Sequence, residues 1–390
     1  MNQKIKNILL SIVAVLIVGS IWYLNAHKPV KDASDVSDII VGDSNVSTTT
    51  STQPTNEKIA ATTSVSHATT ANRNAIRSQK ALQFPRAKEL AGIKGYINTS
   101  QDFKLSNIVS KKVVLIDFWT YSCINCQRTI PYLNAWYKKY KDQGLEIVGV
   151  HSPEFDFEKN YSNVAKAVAQ LGIHYPVIMD SDMATWGAYQ NQYWPREYLI
   201  DIDGFIVHDH IGEGKYDETE QAIQKALQER QTALGLKGTI DTSITNPKDV
   251  IDLDASKVGS PETYFGSSRN QYLSNGVHGT SGTQTLTFPS SINPNSLYLS
   301  GTWNFIPEYA ETTSTTAKIK FHYNSKNVYF VGSSVNGVTL KVFVDGKLVN
   351  TLQVKDNKLY TLVEGSEYGS HDLEIEVEGA GLDAFTFTFG

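Results

Sequence analysis

The chain's two cysteines stand together as Cys123-Ile124-Asn125-Cys126, just after a run from Val113 to Phe118 that is apolar except for Asp117. An uninterrupted apolar run of that length reads as a strand buried on both faces of a parallel sheet. The residues that follow read as a helix through Tyr140, with Pro131 inside it, where it should cause a kink. A strand that hands a C-x-x-C onto a helix N-terminus leaves few folds open. Two sulfurs one helical turn apart can close a small disulfide ring, and the first faces the positive end of the helix dipole. Cys123 is therefore expected as the exposed nucleophile and Cys126, a turn inside, as the shielded resolving thiol.

Other uses of the pair fit less well. Haem attachment needs His directly after the second cysteine, and Gln127 stands there. Zinc needs two more soft ligands, and two cysteines also exclude a disulfide scaffold or a cluster held by four thiolates. A copper site completed by a distant His151 or His174 and a purely structural disulfide remain open. The latter closes too small a loop to restrict the unfolded chain much. The charge balance, 35 basic against 40 acidic residues, gives no clustered basic face for nucleic acid.

Around the pair the periodicity predicts strands at Leu145 to His151 and Tyr175 to Met179, and helices near Phe157 to Leu171 and Thr219 to Arg230. A hairpin is expected at Glu197 to Ile202 and Phe205 to His210, turned by Asp203-Gly204. This α/β region spans 81–232, and a linker at 233–258 follows. Beyond it, 259–390 reads as strands only, among them Ala317 to Tyr323, Val328 to Val331, Thr339 to Val344 and Leu373 to Val377. Asp345-Gly346 marks a hairpin, and an all-β sandwich, jelly-roll-like, is the expected architecture. At the other end, Ile8 to Leu24 carries no charge and follows Lys4 and Lys6. A helix of that length, roughly 26 Å, sits at the short limit for crossing a bilayer. Residues 1–30 are read as a cytoplasmic N-terminus and uncleaved membrane anchor, since Leu24 occupies a position where a cleavage site prefers Ala. The Ser/Thr-rich stretch 31–80 is read as a flexible linker. The folded domains are thus expected outside the cytoplasm, periplasmic or on the cell surface.

The segment V-L-I-D-F-W-T-Y-S-C-I-N-C resembles the thioredoxin active site, and its surroundings are similar to the membrane-anchored TlpA/ResA-type thiol–disulfide oxidoreductases. W-T-Y-S-C-I-N-C, V-G-V-H-S-P-E-F, Y-W-P-R-E-Y-L-I-D and the terminal F-T-F-G together resemble the extracytoplasmic thioredoxin and C-terminal module of DipZ-type proteins. The resemblance implies a thioredoxin-like fold with a TlpA-like insertion at Pro153 to Asp180, and no cofactor beyond a redox-active Cys123–Cys126 disulfide. It implies that Asp117 relays a proton to or from the resolving thiol, and burial should raise its pKa into a useful range. It further implies that Pro195 is a cis-proline beside the disulfide, with Trp194 offering backbone groups to a client chain. The Pro-x-x-x-Thr pattern usual before a peroxidatic cysteine is absent, which disfavours a peroxidase. DipZ-type proteins fuse these modules to a multi-span electron carrier, and here one short anchor stands in its place. Electrons would then come from a separate membrane donor of the multi-span thiol–disulfide transporter type.

Further residues are candidates for contact with the reaction. His151 and Glu154 follow a strand that opens on the same sheet edge as the cysteines. Glu154 is read either as an aid to proton transfer or as an exposed loop acid. Trp119 and Tyr121 are read either as the apolar surface around Cys123 or as ordinary packing. In the β region Trp303, Tyr298, Tyr309 and Tyr264 are read as a glycan-stacking platform or as core. Ile124 and Asn125 add no cation between the cysteines, which favours a reductant or exchanger over a strong oxidant. The expected function is an extracytoplasmic, membrane-tethered oxidoreductase that reduces disulfides of client proteins. The other reading is a glycan- or protein-binding surface protein whose head holds a structural disulfide.

Overall fold

The computed structural model describes residues 72–390 except 249 and 252. The expected anchor at 8–24 and most of the expected linker lie outside the described residues. Among the described residues no helix is long and apolar enough to cross a membrane.

The first domain is a six-stranded sheet in the order β1-β4-β3-β2-β5-β6, formed by Gly95–Ile97 (β1), Val113–Trp119 (β2), Leu145–His151 (β3), Val177–Met179 (β4), Arg196–Ile200 (β5) and Ile206–Ile211 (β6). β2, β3 and β4 run parallel, and β1, β5 and β6 antiparallel to their neighbours. All seven residues of β2 and of β3 are buried, as central strands covered on both faces must be. Helix α1 spans 72–81, α2 Ile124–Tyr140, α3 Tyr161–Gln170, α4 Ala184–Ala188 and α5 Tyr216–Leu234. Ile130, Leu133 and Trp136 of α2, Val164 and Val168 of α3, and Ile223 and Leu227 of α5 close one face with Val113, Leu115 and Trp119. Leu105, Val109 and Tyr189 close the other over Val114, Ile116 and Phe118.

Several elements depart from expectation for local reasons. The helix expected from Phe157 is split, because Asn160 takes an extended conformation and its side chain accepts the Ser162 N–H, starting α3 afresh. α2 does contain Pro131 and reaches Tyr140, as expected. Residues 72–80, expected to belong to a flexible linker, form a helix together with residue 81. Arg73 and Lys80 pair with Glu229, and both of them and Arg77 pair with Asp203, while Lys80 also reaches Asp201. These buried acids at the Asp203-Gly204 turn need cations, and the helix supplies them. The expected linker after α5 is also held down: Ile240 is buried against the head, and Glu220 accepts the Thr245 N–H at 2.6 Å.

The second domain is all β. Its strands are Thr263–Tyr264 (β7), Gly282–Leu286 (β8), Leu297–Phe305 (β9), Ala310–Thr312 (β10), Thr316–Ser333 (β11), Val338–Val344 (β12), Lys347–Val354 (β13), Lys358–Glu378 (β14) and Asp383–Phe389 (β15). They form a nine-stranded sheet whose main path runs β13-β12-β14-β11-β15-β10-β9-β8. β11 also pairs with β9, closing a ring through β15 and β10 around the core. The two strands expected at Ala317 to Tyr323 and Val328 to Val331 are one long strand, bent by a register shift between Ser325 and Asn327.

The two domains share an apolar seam. Phe155 and Phe157 of the inserted segment meet Phe385 with ring centroids 5.0 and 4.9 Å apart, and Val331 joins them.

Candidate active site

β2 ends at Trp119, and the chain turns through Thr120-Tyr121-Ser122 to place Cys123 at the N-cap of α2. The Cys123 Sγ accepts the Cys126 N–H at 3.4 Å, so the sulfur sits where a helix N-terminus receives negative charge. Both cysteines are free thiols; Cys123 is half-buried and Cys126 is 1% exposed. Burial, then the Cys123 sulfur and the Asp117 carboxyl, push the Cys126 thiol well above its usual range. Cys126 therefore holds its proton at neutral pH, and a base must take it before the sulfur can attack.

Asp117 lies within β2 and acts on the Cys126 thiol through its charge. It is 1% exposed, its Oδ1 has no hydrogen-bond partner, and burial followed by the charge of Glu197 raises it well above the usual carboxyl range. Glu197 stands directly opposite on β5, also buried, with neither carboxyl oxygen in a well-formed hydrogen bond and the Thr219 hydroxyl nearby. Burial pushes Glu197 up to about 7. The expectation of a raised Asp117 behind Cys126 agrees with this placement; Glu197 was not singled out from the sequence.

The Trp194–Pro195 peptide is cis. Arg196, next in the chain, pairs with Phe118, which sets Pro195 beside the end of β2. Trp194 is half-buried, donates from its indole N–H to the Ser152 carbonyl at 2.9 Å and packs on Trp186 at 4.2 Å. Trp186 is held by Asp180, whose carboxylate accepts the N–H groups of Thr185 and Trp186 and the Ser152 hydroxyl.

Three expected contacts are corrected. Trp119 is wholly buried, in edge contact with His151, and offers no face to a client. Tyr121 is 5% exposed, stacks on His151 and donates its hydroxyl to the Asn357 carbonyl of the second domain. Glu154 is engaged at the seam. Its carboxylate accepts from the Tyr264 hydroxyl at 2.8 Å and from Arg269 at 2.7 Å across the seam. His151 is also sealed in, and burial pushes it down to about 3. The aromatic platform does not form either: Trp303 and Tyr298 are buried, while Tyr264 and Tyr309 pack at the seam, because inward positions of a closed sheet take the large apolar side chains.

A second buried acid was also missed. Glu158, in the inserted segment, is completely buried and accepts the Ser122 hydroxyl at 2.5 Å and the N–H groups of Glu154 and Phe155. It thereby grips the residue before Cys123. Burial pushes it up to about 7. Arg128, buried one turn into α2, holds Asn125 at 3.2 Å and Glu213 at 2.9 Å. Gln127 donates to the Tyr121 carbonyl at 2.8 Å, closing the turn before the cysteines. A cleft of 470 Å³ opens between the domains next to Tyr121 and Gln127, walled by Lys166, Lys355 and Asp356.

A half-exposed thiol at a helix N-terminus, a buried partner thiol and a buried carboxyl on a thioredoxin-like sheet define a dithiol–disulfide redox protein by class. Comparison with known proteins agrees. Residues 79–209 match the AhpC/TSA family and 260–390 the "Thioredoxin like C-terminal domain". The chain is 40% identical over 305 residues to Protein DipZ of Mycobacterium bovis and of Mycobacterium tuberculosis, covering 78% of this chain and 43% of those proteins. It therefore spans less than half the length of these relatives. It is 30% identical to the thiol-disulfide oxidoreductase YkuV of Bacillus subtilis over 143 residues, 37% of this chain and 95% of that protein. The thiol-disulfide oxidoreductase ResA of Bacillus thuringiensis matches at 35% over 29% of this chain and 63% of its own length. The chain belongs to the thioredoxin-fold thiol–disulfide oxidoreductases of the TlpA/DipZ type.

Proposed function

We propose that this protein is an extracytoplasmic, membrane-tethered oxidoreductase that reduces disulfides of client proteins. The observation that carries this reading is the asymmetry of the pair: Cys123 is half-exposed and Cys126 sealed behind it beside Asp117. Cys123 attacks a client disulfide and forms a mixed disulfide, releasing one client thiol. Cys126, after giving its proton to Asp117, attacks Cys123 and releases the second client thiol. Two electrons leave the dithiol, and the Cys123–Cys126 disulfide remains. Pro195 and the backbone of Trp194 line the client's approach.

The tether is the charge-free run at 8–24, and the re-reducing partner is a membrane electron carrier that supplies thiols on the outer side. The second domain braces the head through the seam. A glycan ligand for that domain has less support, since Trp303 and Tyr298 are buried and Tyr264 and Tyr309 pack at the seam.

Replacing Cys126 by Ser removes resolution and leaves attack by Cys123 intact. Cells carrying the Cys126→Ser chain should accumulate thiol-reducible, covalent complexes with client proteins on non-reducing gels. Absence of such complexes, with the chain instead retained on cell-wall glycan, would favour a binding protein with a structural disulfide.

A further inference from the structure

Behind Cys126 the sheet carries three titratable side chains in one row. Asp117 of β2 is directly opposite Glu197 of β5, and Glu197 is directly opposite His210 of β6. Directly opposed residues of antiparallel strands project from the same face with Cβ atoms about 5 Å apart. Asp117 and Glu197 are each 1% exposed, whereas His210 is half-buried, so the row runs from the core beside Cys126 towards the surface.

Four polar atoms of this row are unpaired. Asp117 Oδ1, both carboxyl oxygens of Glu197 and His210 Nε2 are buried without a hydrogen-bond partner. The buried, equally unpaired Tyr175 hydroxyl feels the charges of Asp117, Glu197 and Cys126. Native structures leave few buried polar groups unsatisfied, and each such group calls for a reason. No lysine or arginine among the described residues forms an ion pair with either carboxyl. The groups facing the row are Cys123 and Cys126 from α2, Tyr175 from the segment before β4, Tyr216 and Thr219 from α5, and His208 from β6. This makes a purely structural ion-pair role untenable for Glu197.

We infer that Asp117, Glu197 and His210 form a cross-strand proton path that connects the Cys126 thiol to the surface. The inference rests on the proposed function and adds the route by which the proton of the resolving thiol leaves. The charge of Glu197 disfavours ionisation of Asp117, so the pair holds one negative charge more readily than two. In the resolving step the Cys126 S–H bond breaks and its proton passes to Asp117. The freed sulfur bonds to Cys123, the Cys123–client S–S bond breaks, and the client sulfur leaves as a thiolate that takes a proton from solvent. The dyad sheds its extra proton from Glu197 to His210 and on to water. Glu197 and His210 act through Asp117 and touch no client.

The test uses the full chain in its reduced form, mixed rapidly with a peptide disulfide as probe, following release of the second peptide thiol across a pH series. In Glu197→Gln the like-charged neighbour of Asp117 is gone, so the pH of half-maximal resolution should move to the acid side by about one unit. With the exit interrupted, the plateau rate should fall roughly tenfold. His210→Ala should slow the plateau without that acid shift, and added imidazole should restore it. A merely structural role would lower rates without moving the pH profile or responding to imidazole. A Glu197→Gln profile that superimposes on the parent, or a His210→Ala chain with the parent's rate, overturns the path. The infrared difference between reduced and oxidised chain gives an answer that needs no client. A protonated-carboxyl band should change on oxidation and be lost or displaced in both Asp117→Asn and Glu197→Gln, and a band indifferent to Glu197 overturns the path. A parent chain that shows the band but reduces no disulfide contradicts the proposed function instead.

Discussion

Cys126 is buried together with its proton, and that single fact sets the task of its neighbours. A thiol raised by burial is a poor nucleophile until a base relieves it, and Asp117 is the carboxyl placed to do so. Asp117 itself is raised, so it accepts a proton only once pH has passed through its elevated pKa; resolution should therefore speed up as pH rises across that range. Asp117→Asn should slow release of the second client thiol roughly a hundredfold at neutral pH and remove this rise, as single-turnover kinetics would report. A parent-like rate would remove Asp117 from the reaction. The cysteines and Asp117 were readable from the sequence because each is anomalous where it stands: the cysteines as a lone C-x-x-C, the acid inside an apolar strand. Glu197 and Glu158 were not. A glutamate between Arg196 and Tyr198, or between Phe157 and Lys159, looks like an ordinary surface acid, and its burial is decided by β6, α5 or a turn that local periodicity does not reveal.

At the level of elements, the inserted segment does more than link two strands. Through Glu158 it grips Ser122 and so fixes the turn that presents Cys123, while its Phe155 and Phe157 reach the second domain. Glu158 also leaves a mark on stability. Its carboxyl rises from an ordinary 4.5 to about 7 on folding. The unfolded chain therefore ionises first as pH rises. The contribution of this group is fully present below about 4.5, declines above it and is gone once pH passes about 7, a loss on the order of 3 kcal/mol. Glu158→Gln should flatten that part of the curve in urea unfolding measured from pH 4.5 to 7.5, and an unchanged slope would show that the group does not titrate in this way. The strands and helices around the cysteines were legible because their apolar runs are long. The break at Asn160 and the continuity of β11 through Asn324 to Asn327 were not, since a capping asparagine and a bulge use the same residues as a loop.

At the scale of the molecule, the head and the β domain meet through both apolar and charged contacts. Phe385 lies between Phe155, Phe157 and Tyr309, and Arg269 spans from Glu154 to the face of Tyr264. Phe385→Ala should cost about 3 kcal/mol and separate the thermal unfolding of the two domains, which calorimetry would resolve as two transitions. A single unshifted transition would mean that the seam contributes little. The two-class architecture was legible from the shift in periodicity near residue 259, whereas the seam was not, because its partners lie at least 110 residues apart in sequence. The helix over 72–81 docks on the Asp201–Asp203 turn, beyond the end of β5 away from Pro195, so the chain enters the head at the end of the sheet far from the cysteines. The most direct test of the account is the reduction potential of the Cys123–Cys126 couple in the full chain, equilibrated in dithiol buffers and read by thiol alkylation. The account predicts one reversible two-electron transition on the reducing side, near the value of about −270 mV known for thioredoxin. A pair that does not cycle, or a potential near the about −120 mV of a strong disulfide-forming oxidant, would contradict it.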